Sequence, residues 1–486
     1  MSTISQLQPT NVWQYFAQLC ELPRPSKHEQ LVVSWIQRFA EEKGFECELD
    51  EIGNVIVRKP ASAGCEDYRT VILQSHIDMV PQKNAGTVHD FKTDPIKPYV
   101  DGEWVTADGT TLGADNGMGV AAMMAVLDSS DIKHGPIEAL FTIDEEAGMT
   151  GALNLDPNIL KGELLFNLDT EDDGELYVGC AGGQDINIEF DYQAEQPAQG
   201  NVAWQLAISG LLGGHSGLDI NTGRANANKL MNRLLRRLLA AGIELQLADI
   251  KGGSLRNAIA RESFATIMIP AEQQDDLLAV VEDVLCDIED EFGSAEPNLS
   301  ITASPASDAS EVLPLTLLLR FIRAMDAVPH GVERMSVDLP GIVETSNNVG
   351  VIRMKNGKLR VRCLVRSLSD KARDEFSESV AGAFILAGAS VSFDNPYPGW
   401  APNPESKLLQ GMKVVHNDLF GFEPAVKVIH AGLECGILGA IYPNWDMISF
   451  GPTIRGAHSP DERVEVATVE RFWQLLVASL EQIPKA

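Results

Sequence analysis

The sequence predicts an α/β domain, in which helices flank a mostly parallel sheet, with an α+β domain inserted into it. Apolar, strand-like runs alternate with helical patterns in the first part of the chain. Two similar passes of strand, helix, strand, strand and helix follow, and the first pattern returns near Tyr397. Buried strands alternating with helices are typical of a parallel sheet. The returning pattern indicates that the end of the chain completes the first domain.

The first domain begins with two amphipathic helices in residues 10–44, separated at ELPRPSKHEQ. Four strand-like runs follow, namely NVIVRKP, RTVILQSHID, IEALFTID and ELLFNLD, with a helix predicted for residues 117–127. After YPGWAPNP come a helix, the strand AVKVIH, a Gly-rich turn, the strand MISFGP and a helix over 467–482. Ligands of such sheets bind beyond the carboxyl ends of the strands, so functional residues are expected there.

The inserted domain reads as a duplicated βαββα unit. The first pass contains WQLAISG, a helix over 225–240, IELQLADI, ESFATIMIP and a helix over 272–291. The second contains NLSITAS, a helix over 311–325, ETSNNVGVIRM, LRVRCLVR and a helix over 371–387. The predicted boundaries are 1–184 and 397–486 for the first domain and 185–396 for the insert.

Composition and charge exclude several classes of function. The 486 residues carry a net charge of −31, which disfavours binding to nucleic acids or to anionic membranes. The seven cysteines form no CxxC motif, as expected in a reducing cytoplasm. The first residues lack the basic and apolar regions of a signal peptide, and no uncharged apolar run reaches the roughly 20 residues that span a bilayer. We therefore expect a cytoplasmic protein.

Residues capable of metal or acid–base chemistry follow the predicted strands. In QSHIDMVP, His76 and Asp78 share a strand face, because residues i and i+2 point the same way. A surface His–Asp pair is the alternative interpretation. In TTLGADNGMGVA, Asp115 lies in a Gly-rich turn before a helix. A helix N-cap is one interpretation, and it can coexist with a role at a ligand site, because the glycines permit close approach of the backbone to a ligand.

Further carboxylates and a second histidine complete the pattern. FTIDEEAG ends a strand with Asp144, Glu145 and Glu146, and LLFNLD ends another with Asp169. His458 in GAHSPDERV follows the strand MISFGP. A set of two imidazoles and several carboxylates suits Zn²⁺, with Mn²⁺ or Co²⁺ as substitutes. A carboxylate that bridges two metals is usual in co-catalytic hydrolases.

Six motifs in order, SHIDMVP, GADNGMGVA, DEEAGMTGA, NLDTED, GGHSG and GAHSPDE, resemble the di-zinc metallopeptidase family of carnosinases, peptidase V and bacterial glutamate carboxypeptidase. HAGLECGILG and the long duplicated insert are similar to its aminoacyl-histidine dipeptidase branch. The resemblance implies hydrolysis of unblocked dipeptides, preferably Xaa-His and including β-Ala-His, in a homodimer formed through the insert, which would act as a lid.

The resemblance also implies roles for individual residues. Two Zn²⁺ ions would be bound per subunit. His76 and Asp169 would hold one ion, Glu146 and His458 the other, and Asp115 would bridge the two. In this family the peptide bond after the bridging residue is often cis. Glu145 would be the general base for a metal-bridging hydroxide, and Asp78 would orient His76. His215 would reach the substrate carbonyl oxygen. Substrate-binding candidates in and near the insert are Arg366, Asn347 or alternatively Asn257, and Glu434.

Three other functions are compatible with the same sequence. The first is a broader-specificity aminopeptidase or tripeptidase, a carboxypeptidase or an aminoacylase that uses the same chemistry. The second is a catalytically silent metal-binding scaffold, which the presence of Glu145 disfavours. The third is an α/β protein with acidic turns and no site, which requires many coincidences.

Overall fold

A computed structural model of the chain describes residues 3–337 and 339–483. Internal contacts divide these residues into two units. Unit 1 comprises the described parts of Met1–Gly179, Trp400–Val428 and Leu433–Ala486, and unit 2 comprises those of Cys180–Gly399 and Ile429–Gly432. None of the described helices combines the length and hydropathy that a bilayer-spanning segment needs.

The helices and strands follow one another in three stretches of chain. The first contains α1 (Thr10–Cys20), α2 (Gln30–Lys43), β1 (Glu46–Leu49), β2 (Val55–Lys59), β3 (Val71–His76), β4 (Pro98–Asp101), β5 (Trp104–Ala107), α3 (Ala114–Asp128), β6 (Ile137–Thr142), α4 (Glu145–Gly148), α5 (Thr150–Leu153), β7 (Leu164–Asn167) and β8 (Glu175–Cys180). The second contains β9 (Gly182–Asp191), β10 (Asn201–Ser209), β11 (Gly214–His215), α6 (Ala227–Ala240), β12 (Gln246–Gly252), β13 (Ala258–Ile259), β14 (Ser263–Pro270), α7 (Gln274–Phe292), β15 (Ser300–Pro305), α8 (Leu315–Ala327), β16 (Gly331–Met335), β17 (Val343–Lys355), β18 (Lys358–Ser367), α9 (Asp370–Leu386) and β19 (Ser390–Tyr397). The third contains α10 (Lys407–Phe420), β20 (Ala425–Ile429), α11 (Glu434–Ile441), β21 (Asp446–Ser449), β22 (Ile454–Arg455), β23 (Arg463–Glu465) and α12 (Val466–Gln482).

The N-terminal helices form as the sequence pattern predicts. Helix α1 buries Val12, Trp13, Phe16 and Leu19 on one face, which is the i, i+3, i+4 spacing of an amphipathic helix. The two prolines of ELPRPSKHEQ separate α1 from α2, because proline removes a helix donor and restricts the residue before it. Helix α2 ends at Gly44, whose φ of 70° is a left-handed C-cap.

The main sheet of unit 1 has the described strand order β1-β2-β6-β3-β7-β21-β8-β20. Its central strands β6, β3, β7 and β21 pair in parallel. The pairs β1–β2, β2–β6 and β21–β8 are antiparallel, so the sheet is mixed and its parallel part is central. The carboxyl ends of the four parallel strands therefore lie at one edge of the sheet, which is where the sequence places its acids and histidines.

Unit 2 is built on a second sheet with the described order β15-β10-β14-β12-β17-β18-β9-β19. Helices α6–α9 pack with the sheet around one apolar core. Strands β9 and β19 pair with each other in this sheet and were not predicted from the sequence. The strand of NLSITAS, β15, pairs with β10, and the sequence made no prediction about its neighbour. Sheet neighbours depend on long-range pairing, which chain order alone does not determine.

Gly119 on α3 permits a close approach between this helix and the sheet, and we expect Gly119→Ala to destabilise the protein. A Cβ there would lie 2.1 Å from Asn116 Oδ1, 2.4 Å from Ser75 Oγ and 2.6 Å from the Leu168 carbonyl oxygen. Overpacking of this kind costs about 1–3 kcal/mol. The midpoint of thermal or urea unfolding measures the effect.

Gly382→Ala on α9 is the matched control. Nothing lies within 4 Å of a Cβ at Gly382. Alanine is favoured over glycine in a helix interior by about 0.5–1 kcal/mol, so this variant should be slightly more stable. A Gly119→Ala protein as stable as Gly382→Ala would contradict the close approach.

Candidate metal centre

The candidate site of unit 1 is assembled from segments that follow or flank the parallel strands. His76 is the last residue of β3, Asp169 lies two residues after β7, and Glu146 lies in the short helix after β6. Asp115 lies in the first turn of α3, and His458 lies between β22 and β23, in a turn where its φ is 64°. These are the five residues for which the resemblance implies metal ligation, and the structure brings them together.

His76 and Asp169 meet one oxygen of Asp115. The Nε2 atom of His76 is 3.2 Å from Asp115 Oδ1 and 3.3 Å from Asp169 Oδ1. Potential ligand atoms of these three residues all lie within 4.8 Å of one another. His76 is 1% exposed, so its ring is held in a defined orientation by packing.

His458 and Glu146 meet the other oxygen of Asp115. The Nε2 atom of His458 is 3.1 Å from Asp115 Oδ2 and 3.0 Å from Glu146 Oε2. Potential ligand atoms of this second set also lie within 4.8 Å of one another. Asp115 thus belongs to both sets, with one oxygen directed at each.

The clustered carboxylates of the site favour the binding of one or more cations. Burial, followed by the nearby Asp115 carboxylate, raises the pKa of Glu146 to about 7. Partial desolvation opposes protonation of His458, whose side chain is 54% exposed, but its contacts with Asp115 and Glu146 outweigh this effect and raise its pKa to about 11. Glu146 Oε1 is buried and has no hydrogen-bond partner among the described residues. A metal ion would neutralise the crowded carboxylates and supply that oxygen with a partner.

The backbone at Asp115 has the feature that the resemblance implies. The Asp115–Asn116 peptide bond is cis. The Asn116 side chain donates to the Leu168 carbonyl at 3.0 Å and also contacts Asp169. Asn116 therefore connects the two segments that carry Asp115 and Asp169.

Asp78 lies next to His76, and its side chain has no exposed surface. Its Oδ1 is 3.3 Å from His76 Nδ1, the nitrogen opposite the one that faces the carboxylates. The same carboxylate accepts the backbone N–H groups of Glu145 at 3.0 Å and Glu146 at 3.2 Å. The Asp78 carboxylate therefore lies against the His76 ring and also binds the backbone of the segment that carries the two glutamates, a second contact that the sequence did not indicate.

Glu145 lies next to the two ligand sets. One of its oxygens is within 4.8 Å of ligand atoms of His76 and Glu146. Burial raises its pKa well above the ordinary value. The charge of His76 counteracts this rise, and the carboxylates of Glu146 and Asp169 add to it. A glutamate with an elevated pKa has the proton affinity that a general base or acid needs near neutral pH.

Arg366 is the centre of a polar cluster within unit 2. Its guanidinium donates to Ser216 Oγ at 3.2 Å and to the Tyr397 hydroxyl at 2.8 Å, and it lies 3.3 Å from His215 Nε2. His215 Nδ1 accepts the backbone N–H groups of Gly217 at 3.2 Å and Leu218 at 3.1 Å. Arg366 can only donate, so its contact with Nε2 and the two backbone contacts with Nδ1 all direct donors at this one ring. The cluster is thus rich in donors and suits an anionic or carbonyl oxygen.

Asn257, and not Asn347, lies beside this cluster. The Asn257 carbonyl accepts the backbone N–H of Ser216 at 2.9 Å. Asn347 is fully buried and donates to the Pro329 carbonyl at 2.7 Å. In the β17–β18 pair, Ser346 opposes Arg366, so the next residue, Asn347, faces the other side of the sheet. The expectation that Asn347 grips substrate is therefore corrected.

Glu434 is also placed differently from the expectation that it binds substrate. It is fully buried in unit 1, where it accepts from Gln74 at 2.5 Å and from Thr142 at 2.6 Å. Gln74 and Thr142 lie on β3 and β6, close to the strand ends that carry His76 and Glu145. Glu434 therefore supports those strand ends from within the core and offers no surface to a substrate.

Several residues around the sites were not found from the sequence. The buried polar residues Arg24 and Glu462 contact the Asp115 segment, and Ser216, Tyr397 and His430 lie in or near the Arg366 cluster. The GAHSPDE motif contained Glu462, and a carboxylate four residues after a candidate ligand is the signal that could have identified it. Arg24 carries no comparable signal.

The fold and the two ligand sets define a metallopeptidase. Residues 72–482 match the model of the peptidase family M20/M25/M40, and the chain belongs to this family of metallopeptidases. The chain is similar to the cytosol non-specific dipeptidase of Escherichia coli (strain K12), with 45% identity over 484 residues that cover 100% of both chains.

Solved structures agree with this membership. The aminoacylhistidine dipeptidase of Vibrio alginolyticus is 49% identical, with a TM-score of 0.85 over 99% of this chain and 98% of that one. A tripeptidase from Staphylococcus aureus shares the fold at 14% identity, with a TM-score of 0.58 over 99% of this chain and 100% of that one. The recognised family, and the dipeptidase character of its full-length relatives, confirm the resemblance stated from the motifs.

Proposed function

We propose that this protein hydrolyses unblocked dipeptides, preferably Xaa-His, at a centre of two Zn²⁺ ions, with Mn²⁺ or Co²⁺ as substitutes. The observation that carries the proposal is the division of Asp115 between two ligand sets. His76 and Asp169 would hold one ion, Glu146 and His458 the other, and Asp115 both. Bound metal ions in such a site lower the pKa of a water molecule and polarise the scissile carbonyl.

Glu145 is the general base in this proposal. Its carboxylate takes a proton from the attacking water and returns it to the nitrogen of the leaving amino acid. The raised pKa of Glu145 supports this role, because the protonated form must persist until the peptide bond breaks. Asp78 keeps the His76 ring in place and anchors the backbone of Glu145, so that the base has a fixed position.

His215 and Arg366 act on the substrate in this proposal. The Nε2–H group of His215 donates to the carbonyl oxygen as negative charge develops on it. Arg366 binds the terminal carboxylate, for which a guanidinium provides a charge-assisted, forked pair of donors. Asn257, whose backbone adjoins Ser216, is the second candidate for this contact. Glu434, which is fully buried, has no contact with substrate in this proposal.

The wider organisation follows from the same proposal. Unit 1 corresponds to the catalytic domain predicted for residues 1–184 and 397–486. Unit 2 corresponds to the lid and dimerisation domain predicted for 185–396, and the protein would work as a homodimer in the cytoplasm. The names of the full-length relatives, a cytosol non-specific dipeptidase and an aminoacylhistidine dipeptidase, support a dipeptide substrate.

A substrate panel on the metal-loaded protein tests the proposed function. The panel contains Xaa-His and Xaa-Gly dipeptides, β-Ala-His, tripeptides, N-acetylated amino acids and Xaa-His amides. We expect the highest kcat/KM for unblocked Xaa-His dipeptides and little turnover of blocked compounds. A preference for tripeptides or for N-acetylated amino acids would replace the proposal with a tripeptidase or an aminoacylase.

The same panel, applied to Arg366→Met, examines the carboxylate contact. For free dipeptides we expect kcat/KM to fall about 10- to 150-fold, since a hydrogen bond to a charged group contributes about 1.5–3 kcal/mol. Dipeptide amides lack the carboxylate and should be affected much less. An equal loss for dipeptides and their amides would show that Arg366 does not recognise the terminal carboxylate.

A further inference from the structure

Glu462 gathers an unusual set of backbone donors next to the candidate metal centre. Its carboxylate is 2% exposed and accepts four consecutive backbone N–H groups. These are Leu112 at 2.8 Å and Gly113 at 2.9 Å on Oε2, and Ala114 at 2.7 Å and Asp115 at 3.2 Å on Oε1. Leu112 and Gly113 precede α3, and Ala114 and Asp115 are its first two residues, whose N–H groups have no partner within the helix. One buried side chain satisfies all four.

Arg24 holds the same segment from its carbonyl side. Its side chain is 2% exposed and donates to the carbonyl oxygens of Ile77 at 3.1 Å and Asp78 at 2.8 Å, and also to that of Gly113. Gly113 therefore gives its N–H to Glu462 and its carbonyl to Arg24. Its φ is 69°, and a Cβ at this position would lie 2.5 Å from the Arg24 guanidinium, so only glycine fits.

The two buried charges connect the segments that carry the candidate ligands. Glu462 lies four residues after His458. Two turns fix this stretch: the Ser459 N–H donates to the Gly456 carbonyl, and the Glu462 N–H donates to the Ser459 carbonyl. Glu462 thereby ties the His458 turn to the Asp115 segment. Arg24 ties the Asp115 segment to the backbone that follows His76. The three segments are distant in sequence, and Asp115 lies in α3 and takes part in none of the strand pairings of the described residues.

We propose that Arg24 and Glu462 form a clamp on residues 112–115 that positions Asp115 between the two metal-ligand sets. The inference rests on the proposed metal centre and adds two positioning residues to it. Neither residue is a ligand: the Glu462 oxygens are occupied by backbone donors, and Arg24 carries no lone pair to donate. Outer contacts of this kind typically change metal affinity 10- to 100-fold when they are removed.

Glu462→Gln tests the clamp with little change in volume. A glutamine amide keeps one acceptor oxygen and turns an NH₂ group toward backbone N–H groups, so at least part of the four-donor contact is lost. We expect this variant to bind Zn²⁺ about 10- to 100-fold more weakly than the wild type, measured at 25 °C by competition with a chromogenic chelator. Binding of two Zn²⁺ ions with wild-type affinity would overturn the clamp.

Glu138→Gln is the matched control for stability alone. Glu138 is 3% exposed, lies at the start of β6, and accepts the backbone N–H groups of Lys161 and Gly162, each at 2.8 Å. This variant should lower the unfolding midpoint but leave Zn²⁺ affinity unchanged. If Glu462→Gln lost stability only, as Glu138→Gln should, Glu462 would be a structural cap and not a positioning residue.

Arg24→Lys provides a second measurement, including the case in which Glu462→Gln does not fold. Lysine keeps the charge but cannot reproduce the forked contacts with three carbonyl groups. The same weakening of Zn²⁺ binding is expected, and unchanged affinity would overturn the clamp. A wild-type protein that binds no metal would overturn the proposed centre itself, whereas normal wild-type binding with unaffected variants would overturn the clamp alone.

Discussion

Glu145→Gln is expected to lower kcat by about 10²–10⁴-fold, the usual contribution of a positioned general base. Glutamine has nearly the same shape as glutamate, so the fold and the backbone bond to Asp78 should persist. The variant cannot accept the proton of the attacking water or return it to the leaving amine. Steady-state hydrolysis of an Xaa-His dipeptide measures the loss, and elemental analysis of the same sample measures bound metal.

Glu146→Gln is the control, because it changes the adjacent residue in the same way. Glu146 Oε2 lies 3.0 Å from His458 Nε2, so this variant should lose metal as well as activity. Glu145→Gln should retain the wild-type metal content. Full activity of Glu145→Gln would remove the base assignment, and loss of metal from it would move Glu145 into the ligand set.

Asp115→Asn is expected to weaken both metal sites at once. The two oxygens of Asp115 face His76 Nε2 at 3.2 Å and His458 Nε2 at 3.1 Å. An amide supplies one neutral oxygen, and its NH₂ group would face the second position. Equilibrium titration with Zn²⁺, monitored for stoichiometry, should therefore show loss of both tight sites and of nearly all hydrolysis.

Asp169→Asn separates the two sites, since Asp169 belongs to the ligand set of His76 and not to that of His458. This variant should weaken one site and leave the other near wild-type affinity. Asp128→Asn, at the other end of α3 and 40% exposed, should change neither. If Asp115→Asn and Asp169→Asn lost the same single ion, Asp115 would not be the bridge.

The candidate ligands were predictable because their signals are local. A strand places residues i and i+2 on one face, and parallel strands bring their carboxyl ends to one edge. These rules indicated His76, Asp78 and Asp169 from short stretches of sequence. The Gly-rich turn before α3 indicated Asp115, and the motif order identified the family that the comparisons confirm.

The errors concern contacts that are set by distant parts of the chain. Glu434 was expected to meet substrate, but its partner Gln74 is 360 residues away and lies in the core. Asn347, with Asn257 as the alternative, was a candidate for binding substrate, but the register of β17 with β18 turns Asn347 to the face opposite Arg366.

The sequence by itself indicated the long helices and the parallel strands of the main sheet, the residue types available for metal chemistry and the family. These follow from periodicity, turn residues and motif order, all of which act over a few residues. Only the tertiary structure decided that Asp115 presents one oxygen to each ligand set, and that Arg24 and Glu462 bind the backbone of residues 112–115. Glu462 and Leu112 are 350 residues apart, and such a contact exists only because burial and sheet pairing bring the two segments together.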